Sequence, residues 1–308
     1  AQGLTQLEKI PEAAKTKEMR ALQRRVEVQA RLARASALLA QGLRTPALDE
    51  LLLAEKSAQN DVELLGAVAQ AYADAGHGAR SLSLMRSILS KSPNTGAQLQ
   101  YAAVLLKLSH EVELAGLLRQ LGKSAMNPAQ QRDYDALRVA HAVHQADRLR
   151  DDGNLAAAYE ALSPILSERP DDAIARSCLA RLYVKAGENR QALAIYEDLL
   201  QNDPRNIELL LSAIGGATAI KNFDRADVWL KIAMEIAPDS ARVLKTAGDR
   251  YEAEGRNYKA KDYFRAAETL EARAAKPASS DAVAKGQLNP FTKLALKQSN
   301  EWQNMTTR

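Results

Sequence analysis

The stretch ENRQALAIYEDLLQNDPRN, residues 188–206, decides the fold. Ala192, Tyr196 and Leu199 recur at spacings of four and three, which places them on one face of a helix. That helix runs into Asp203-Pro204 and stops there, because the residue before a proline avoids the α region. A second stretch, KNFDRADVWLKIAMEIAPDS (221–240), repeats the pattern, and Pro238 falls 34 residues after Pro204. Pro170 lies another 34 residues upstream. A fixed period of this length is the mark of an array of helix pairs.

Counted outward, the period sets repeat starts at Val139, Ala173, Ile207 and Ala241. The frame continues upstream with starts at Val28 and Val62 and a degenerate one at Gly96, which lacks its closing proline. Each position has a physical task. The first half of a repeat is a helix with an apolar face, as in Leu179-Ala180 followed by Tyr183. Gly42, Gly76, Gly153, Gly187 and Gly255 fall just past it, where a left-handed residue closes a helix at little cost. The second helix brings an alanine (Ala47, Ala158, Ala192, Ala226, Ala260) against the first. Asn94, Asp171, Asn206 and Asp239 are expected to cap the helices that follow the prolines.

This order of residues resembles the tetratricopeptide repeat over about residues 28–272. No tryptophan opens any repeat, which departs from the family pattern. The resemblance implies an all-α fold: an α-solenoid of helix-turn-helix repeats forming a right-handed superhelix, with a concave groove lined by the first helix of each pair. Between Gly96 and Val139 the interval is 43 residues, nine beyond the period. The extra piece reads as a connector, with Asn127 as cap and a long helix from Pro128 to Asp151. Short matches between LTQL…ALQR near the start and LRQL…ALRV (118–139) suggest the same connector there. The expected organisation is therefore 1–27 as the end of a preceding repeat and its connector, 28–126 as a three-repeat block, 127–138 as connector, 139–272 as a four-repeat block, and 273–308 as a polar linker with a short helix.

A narrower resemblance rests on LEKIPEAAKTKEMRALQRR, LYVKAGENRQALAIYEDLLQNDPRN and a Ser/Ala-rich linker ending in GQLNPF. These stretches are similar to the repeat region of the C-component family of bacterial cellulose synthase complexes. In that family a periplasmic run of repeats precedes an outer-membrane barrel that exports the glucan. The resemblance implies a non-enzymatic periplasmic scaffold of a cellulose synthesis and export complex, bridging the synthase and an outer-membrane pore. Its partners would be the other subunits of that complex, with the cell wall or the glucan as further surfaces. The alternative from fold alone is a cytosolic peptide-binding adaptor. The lysine and asparagine clamp of such adaptors is missing, since the corresponding places hold Val143, Asp147, Ser177, Arg181, Leu211 and Gly215.

Composition agrees with a helical array. Hydrophobic residues make up 46% of the 308, aromatics only 5%, and charged residues 26% with both signs mixed. The net charge of +4 is a weak argument for a polyanionic partner. The densest basic stretch, Arg20, Arg24, Arg25, Arg31 and Arg34, carries no aromatics to stack bases and reads as a solvated face, not a nucleic-acid site. No apolar run reaches the ~18 residues of a membrane-spanning helix.

No phosphate loop, nucleophile elbow or paired-cysteine motif is present, and no cofactor is expected. His141, His144 and Asp147 share a helix face at spacings that could ligate a metal, though a polar groove is the favoured reading. Cys178, the one cysteine, reads as a small buried hydrophobe; Arg176 and Arg181 nearby would tend to lower its pKa. The expected groove is His144, Asp147 and Arg150, then Ser177, Arg181 and Lys185, then Leu211 and Gly215, then Lys245, Asp249 and Glu252. Tyr183 and Tyr251 are expected in the packing, which leaves Tyr101, Tyr134 and Trp229 as the aromatics available to stack on a sugar.

Overall fold

The computed structural model describes residues 15–275. Among these residues all regular structure is helical. The helices are α1 (Lys17–Ala40), α2 (Arg44–Ala58), α3 (Val62–Asp74), α4 (Gly78–Lys91), α5 (Thr95–Lys107), α6 (Glu111–Leu121) and α7 (Pro128–Asp151). They continue with α8 (Leu155–Glu168), α9 (Ala173–Lys185), α10 (Asn189–Asn202), α11 (Ile207–Ala219), α12 (Phe223–Ile236), α13 (Ala241–Ala253) and α14 (Asn257–Ala275). Within each unit, sequential helices pack in pairs and successive pairs pack on one another. The architecture is an all-α solenoid of tetratricopeptide-type repeats.

The periodic residues act as the pattern requires. Helices α4, α8, α10 and α12 each end two residues before Pro93, Pro170, Pro204 and Pro238. Gly42, Gly76, Gly153, Gly187 and Gly255 all lie in the left-handed region, with φ between 75° and 84°. Ser109 and Lys221 take the same conformation (φ 57° and 59°) where two repeats lack that glycine. Ala47, Ala158, Ala192 and Ala226 are fully buried between helices. The repeat from Val62 has Ser81 in that place, and its hydroxyl donates to the Ala69 carbonyl at 2.6 Å, so the buried polar group is satisfied.

Two cap assignments shift by one residue. Asn94 and Asn206 cap α5 and α11 with their side chains. Asp172, not Asp171, caps α9, accepting from the amides of Ile174 and Ala175. At α13 the cap position is Ser240, without a side-chain bond, not Asp239. In both cases the turn after proline is one residue longer than the frame assumed.

The chain divides into two units, the first ending at Leu137 and the second beginning at Arg138. The division falls inside α7. In the first unit Val28, Leu51, Val68 and Tyr72 form one core cluster and Met85, Leu105, Leu114 and Leu121 another, joined by Tyr134 and Leu137 from the start of α7. In the second, Val139, Ala142 and Ala146 of α7 pack with Leu162 and Cys178, and Tyr196, Leu210, Ile214, Trp229 and Tyr251 continue the core. Both α1 and α7 are 24 residues long. Val28 and Val139, the repeat starts of the frame, are each the twelfth residue of their helix, counting from Lys17 and from Pro128. The expected N-terminal and C-terminal segments lie largely in 1–14 and 276–308, outside the described residues.

Candidate functional site

In the second unit, four of the expected groove residues meet in one polar cluster. Asp147 on α7 accepts from Arg181 Nε at 3.1 Å and Arg181 Nη2 at 2.7 Å across to α9. It also accepts from Arg150, one turn along α7. Arg150 donates in addition to Asp151 at 2.7 Å, and Arg181 to Ser177 Oγ at 3.3 Å. One carboxylate is thus shared by two guanidiniums, each of which has a second oxygen. These charges close on one another and staple neighbouring repeats, and their partial burial makes them stronger than exposed pairs.

The remaining expected residues stand apart from this cluster. His144 is half-buried on α7, and Lys185 is exposed at the end of α9. Lys245 on α13 pairs with Glu271 on α14 at 2.7 Å. Asp249, between Lys245 and Glu252, has its carboxyl raised by partial desolvation and by Glu252, with Lys245 opposing. Leu211 packs against the core, and Gly215 faces open space. The basic stretch on α1 is partly engaged with the protein itself: Arg24 bonds Gln59 at 2.8 Å, and Arg31 bonds Glu27 at 3.0 Å and Glu50 at 3.4 Å.

Cys178 lies under the cluster, fully buried, with Sγ 3.9 Å from Asp147 Oδ1. Burial first, then the Asp147 charge, pushes its thiol up to about 11, against the opposing pull of Arg181 and Arg150. The expected lowering by neighbouring arginines is therefore reversed. Arg176 instead reaches Asp198 at 2.5 Å. A thiol that holds its proton this tightly is a packing group, not a nucleophile. Among the described residues no group of three or more His, Cys, Asp or Glu gathers to hold a metal ion, and no helix is long and apolar enough to cross a membrane.

The aromatics left for sugar stacking are not available. Tyr101 is only 5% exposed and Trp229 only 7%. Tyr101 donates to Glu113 and accepts from Arg86 Nε at 3.1 Å, and Trp229 sits in the core under the Arg225 guanidinium, 5.2 Å from its ring centre. Tyr134 is half-buried and donates to the Leu118 carbonyl at 3.2 Å. The helical pattern hides this, because an aromatic at a packing position is found by its partner helix and not by its own spacing.

The first unit holds a feature the sequence reading missed. The first helices α3, α5 and α7 border an open trough of about 640 Å³ whose polar lining is Glu63, Gln70, Asn94, Gln100, Gln130 and Asp133. A second cavity of about 250 Å³ shares Glu63, Gln70 and Gln100 and extends toward Arg25 and Gln29 on α1. The Gln100 amide lies against Gly66 of α3, where any side chain would collide with it, and its oxygen has no hydrogen-bond partner within the protein. Gln70, Gln100 and Gln130 lie thirty residues apart, off the 34-residue period, so only the stacking of helices brings them to one trough.

Residues 149–214 match the tetratricopeptide repeat family model. Together with the helix pairs, caps and inter-repeat contacts, this makes the chain a tetratricopeptide-repeat protein. It is similar to two proteins named Cellulose synthase operon protein C. The one from Xanthomonas axonopodis pv. citri (strain 306) is 45% identical over 200 residues, 63% of this chain and 13% of that protein. The one from Pseudomonas fluorescens (strain SBW25) is 32% identical over 294 residues, 94% of this chain and 23% of that protein. The chain thus spans less than a quarter of the length of these relatives. Among solved structures, PilW, described as a widely conserved type IV pilus biogenesis factor, superposes with a TM-score of 0.51 at 16% identity, covering 71% of this chain and 94% of PilW. That likeness is one of fold alone.

Proposed function

We propose that this chain is a non-enzymatic scaffold segment of a bacterial cellulose synthesis and export apparatus. The observation that carries the reading is the 45% identity over 200 residues to a protein named for the cellulose synthase operon. The geometry supports a positional role. Cys178 is inert, the charges around Asp147 are spent on one another, and each repeat contacts its neighbours as in a solenoid that presents an extended surface. In this reading the array stands in the periplasm between a synthase and an outer-membrane pore, and protein partners dock on exposed residues of the first helices, Lys185 and Glu252 among them.

The test uses the full-length protein in its own host. A photo-crosslinking residue at Lys185, with cell fractionation, is expected to capture another subunit of the polysaccharide apparatus from a periplasmic or envelope fraction. Lys185→Glu is expected to reduce that capture in a salt-dependent way, because exposed charges are screened within about 10 Å at 0.1 M salt. Recovery of the protein only from the cytosol, without such a subunit, would contradict the proposal.

A further inference from the structure

We infer that the trough of the first unit is a contact surface for an uncharged, polyhydroxylated chain, a β-linked glucan strand. The inference rests on the cellulose-associated reading and names a ligand class for one face of the array. The lining carries it. Gln70 and Gln100 offer amide donors and acceptors, and Gln130 adds an amide donor beside an oxygen that already accepts from the Asn127 amide, while Asn94 is engaged in capping α5 and bonding Ser92. Glu63 and Asp133 add carboxylates that accept from neighbouring hydroxyls. A glucan presents hydroxyls that both donate and accept along its whole length, which is the complement of this set. No lysine or arginine lines the larger cavity, and Arg25 at the α1 end of the smaller one faces a trough that also carries the Glu63 carboxylate, so the track as a whole has no cluster of cations to grip an anionic polymer.

Three details fit a polymer strand. The two cavities share Glu63, Gln70 and Gln100 and so run across several first helices, from α1 to α7, without leaving the first unit. Small residues line part of the larger cavity at Gly96, Ala97, Ala103 and Ala136, which lets a broad ring approach the backbone. Gln100 keeps an unpartnered oxygen against Gly66, and rotation of its amide brings that oxygen to the trough, where a hydroxyl satisfies it. No aromatic residue lines either cavity, so there is no stacking platform and the grip on each sugar is weak. Weak contacts repeated along a track suit a polymer that must move past, since tight binding would arrest it.

The experiment is an NMR titration of the 308-residue chain with cellohexaose, following the side-chain amide signals of glutamine and asparagine. Maltohexaose and a basic extended peptide serve as comparison ligands. Millimolar binding of cellohexaose is expected, with shifts at Gln70, Gln100 and Gln130. It should weaken about tenfold in the Gln70→Leu/Gln100→Leu double variant, where two neutral hydrogen bonds are lost. It should be indifferent to salt and to Lys185→Glu. Because the two glutamines are not core residues, an unchanged melting temperature checks that the variant is folded. Absence of shifts, equal binding by the folded double variant, or preference for the basic peptide with strong salt dependence would each overturn the inference. Failure here with successful crosslinking at Lys185 removes the glucan contact and leaves the scaffold standing; the reverse result removes the scaffold partner.

Discussion

The two units repeat one packing scheme and part company on the face of their first helices. Helix α9 follows α3 by 111 residues, so Tyr183 stands where Tyr72 does, Ala180 where Ala69 does, and Gly187 where Gly76 does. At the same offset Ser177 and Arg181 replace Gly66 and Gln70. In the second unit these residues close the face with the Asp147–Arg150–Arg181 cluster, while in the first they leave an amide-lined trough. The positions that set the period decide how helices stack. The positions between them decide whether a face is stapled shut or open, and they change without disturbing the stack.

The largest effect expected from a single substitution is at the shared skeleton. Ala192→Leu forces extra side-chain volume into the fully buried crossing of α9 and α10, at a cost of about 1–3 kcal/mol. Its counterpart, Ser81→Ala, loses only the bond to the Ala69 carbonyl and is expected to cost no more than about 1 kcal/mol. Urea unfolding of both variants checks the pair. Equal destabilisation would mean that the two units do not use this crossing in the same way.

Next comes the staple itself. Asp147→Ala leaves two partly buried guanidiniums without their shared carboxylate, an expected loss of about 1–2 kcal/mol once solvent screening is allowed for. Ser36, at the matching place on α1, is exposed, and Ser36→Ala is expected to leave the melting temperature unchanged.

Much of this was legible in the sequence. Proline and glycine spacing gave the period, the helix ends and the long helix from Pro128, because those residues act locally on the backbone. The meeting of Asp147 with Arg181 was half legible: both were placed in the groove by helical spacing, but their pairing depends on the rise between stacked repeats. The burial of Tyr101 and Trp229 and the gathering of Gln70, Gln100 and Gln130 were not legible, since each depends on which face of a neighbouring helix is opposite. Cys178 shows the same limit. Its helical neighbours suggested a lowered pKa, whereas the depth of the site decided the sign.

Alkaline titration sharpens the comparison at a smaller scale. The Cys178 thiol, ordinarily near 9, is held up to about 11, so above its unfolded value the folded state keeps a proton that the unfolded chain has lost. Stability therefore falls with rising pH from about 9 to about 11, by at most about 1.4 kcal/mol per pH unit for this group. Cys178→Ala is expected to remove that slope. In the first unit Tyr72, raised by burial and by Glu55 from 10 to about 12, begins its loss about one pH unit later. Denaturant midpoints measured across this range check both; a slope unchanged in Cys178→Ala would contradict the assignment. A gain of about 0.5–1 kcal/mol is expected for Lys221→Gly and for Ser109→Gly, which relieve a left-handed side-chain residue in each unit.

Hydrogen–deuterium exchange of the Asp147→Ala chain tests most directly the claim that the second face is held by its own charges and the first is not. Faster exchange is expected in α9, residues 173–185, and in the second half of α7, with α3, residues 62–74, unchanged. Raising the ionic strength of the parent protein should move exchange in the same direction at α9 and leave α3 as it was. Equal responses of α3 and α9, or no response at α9, would contradict the account.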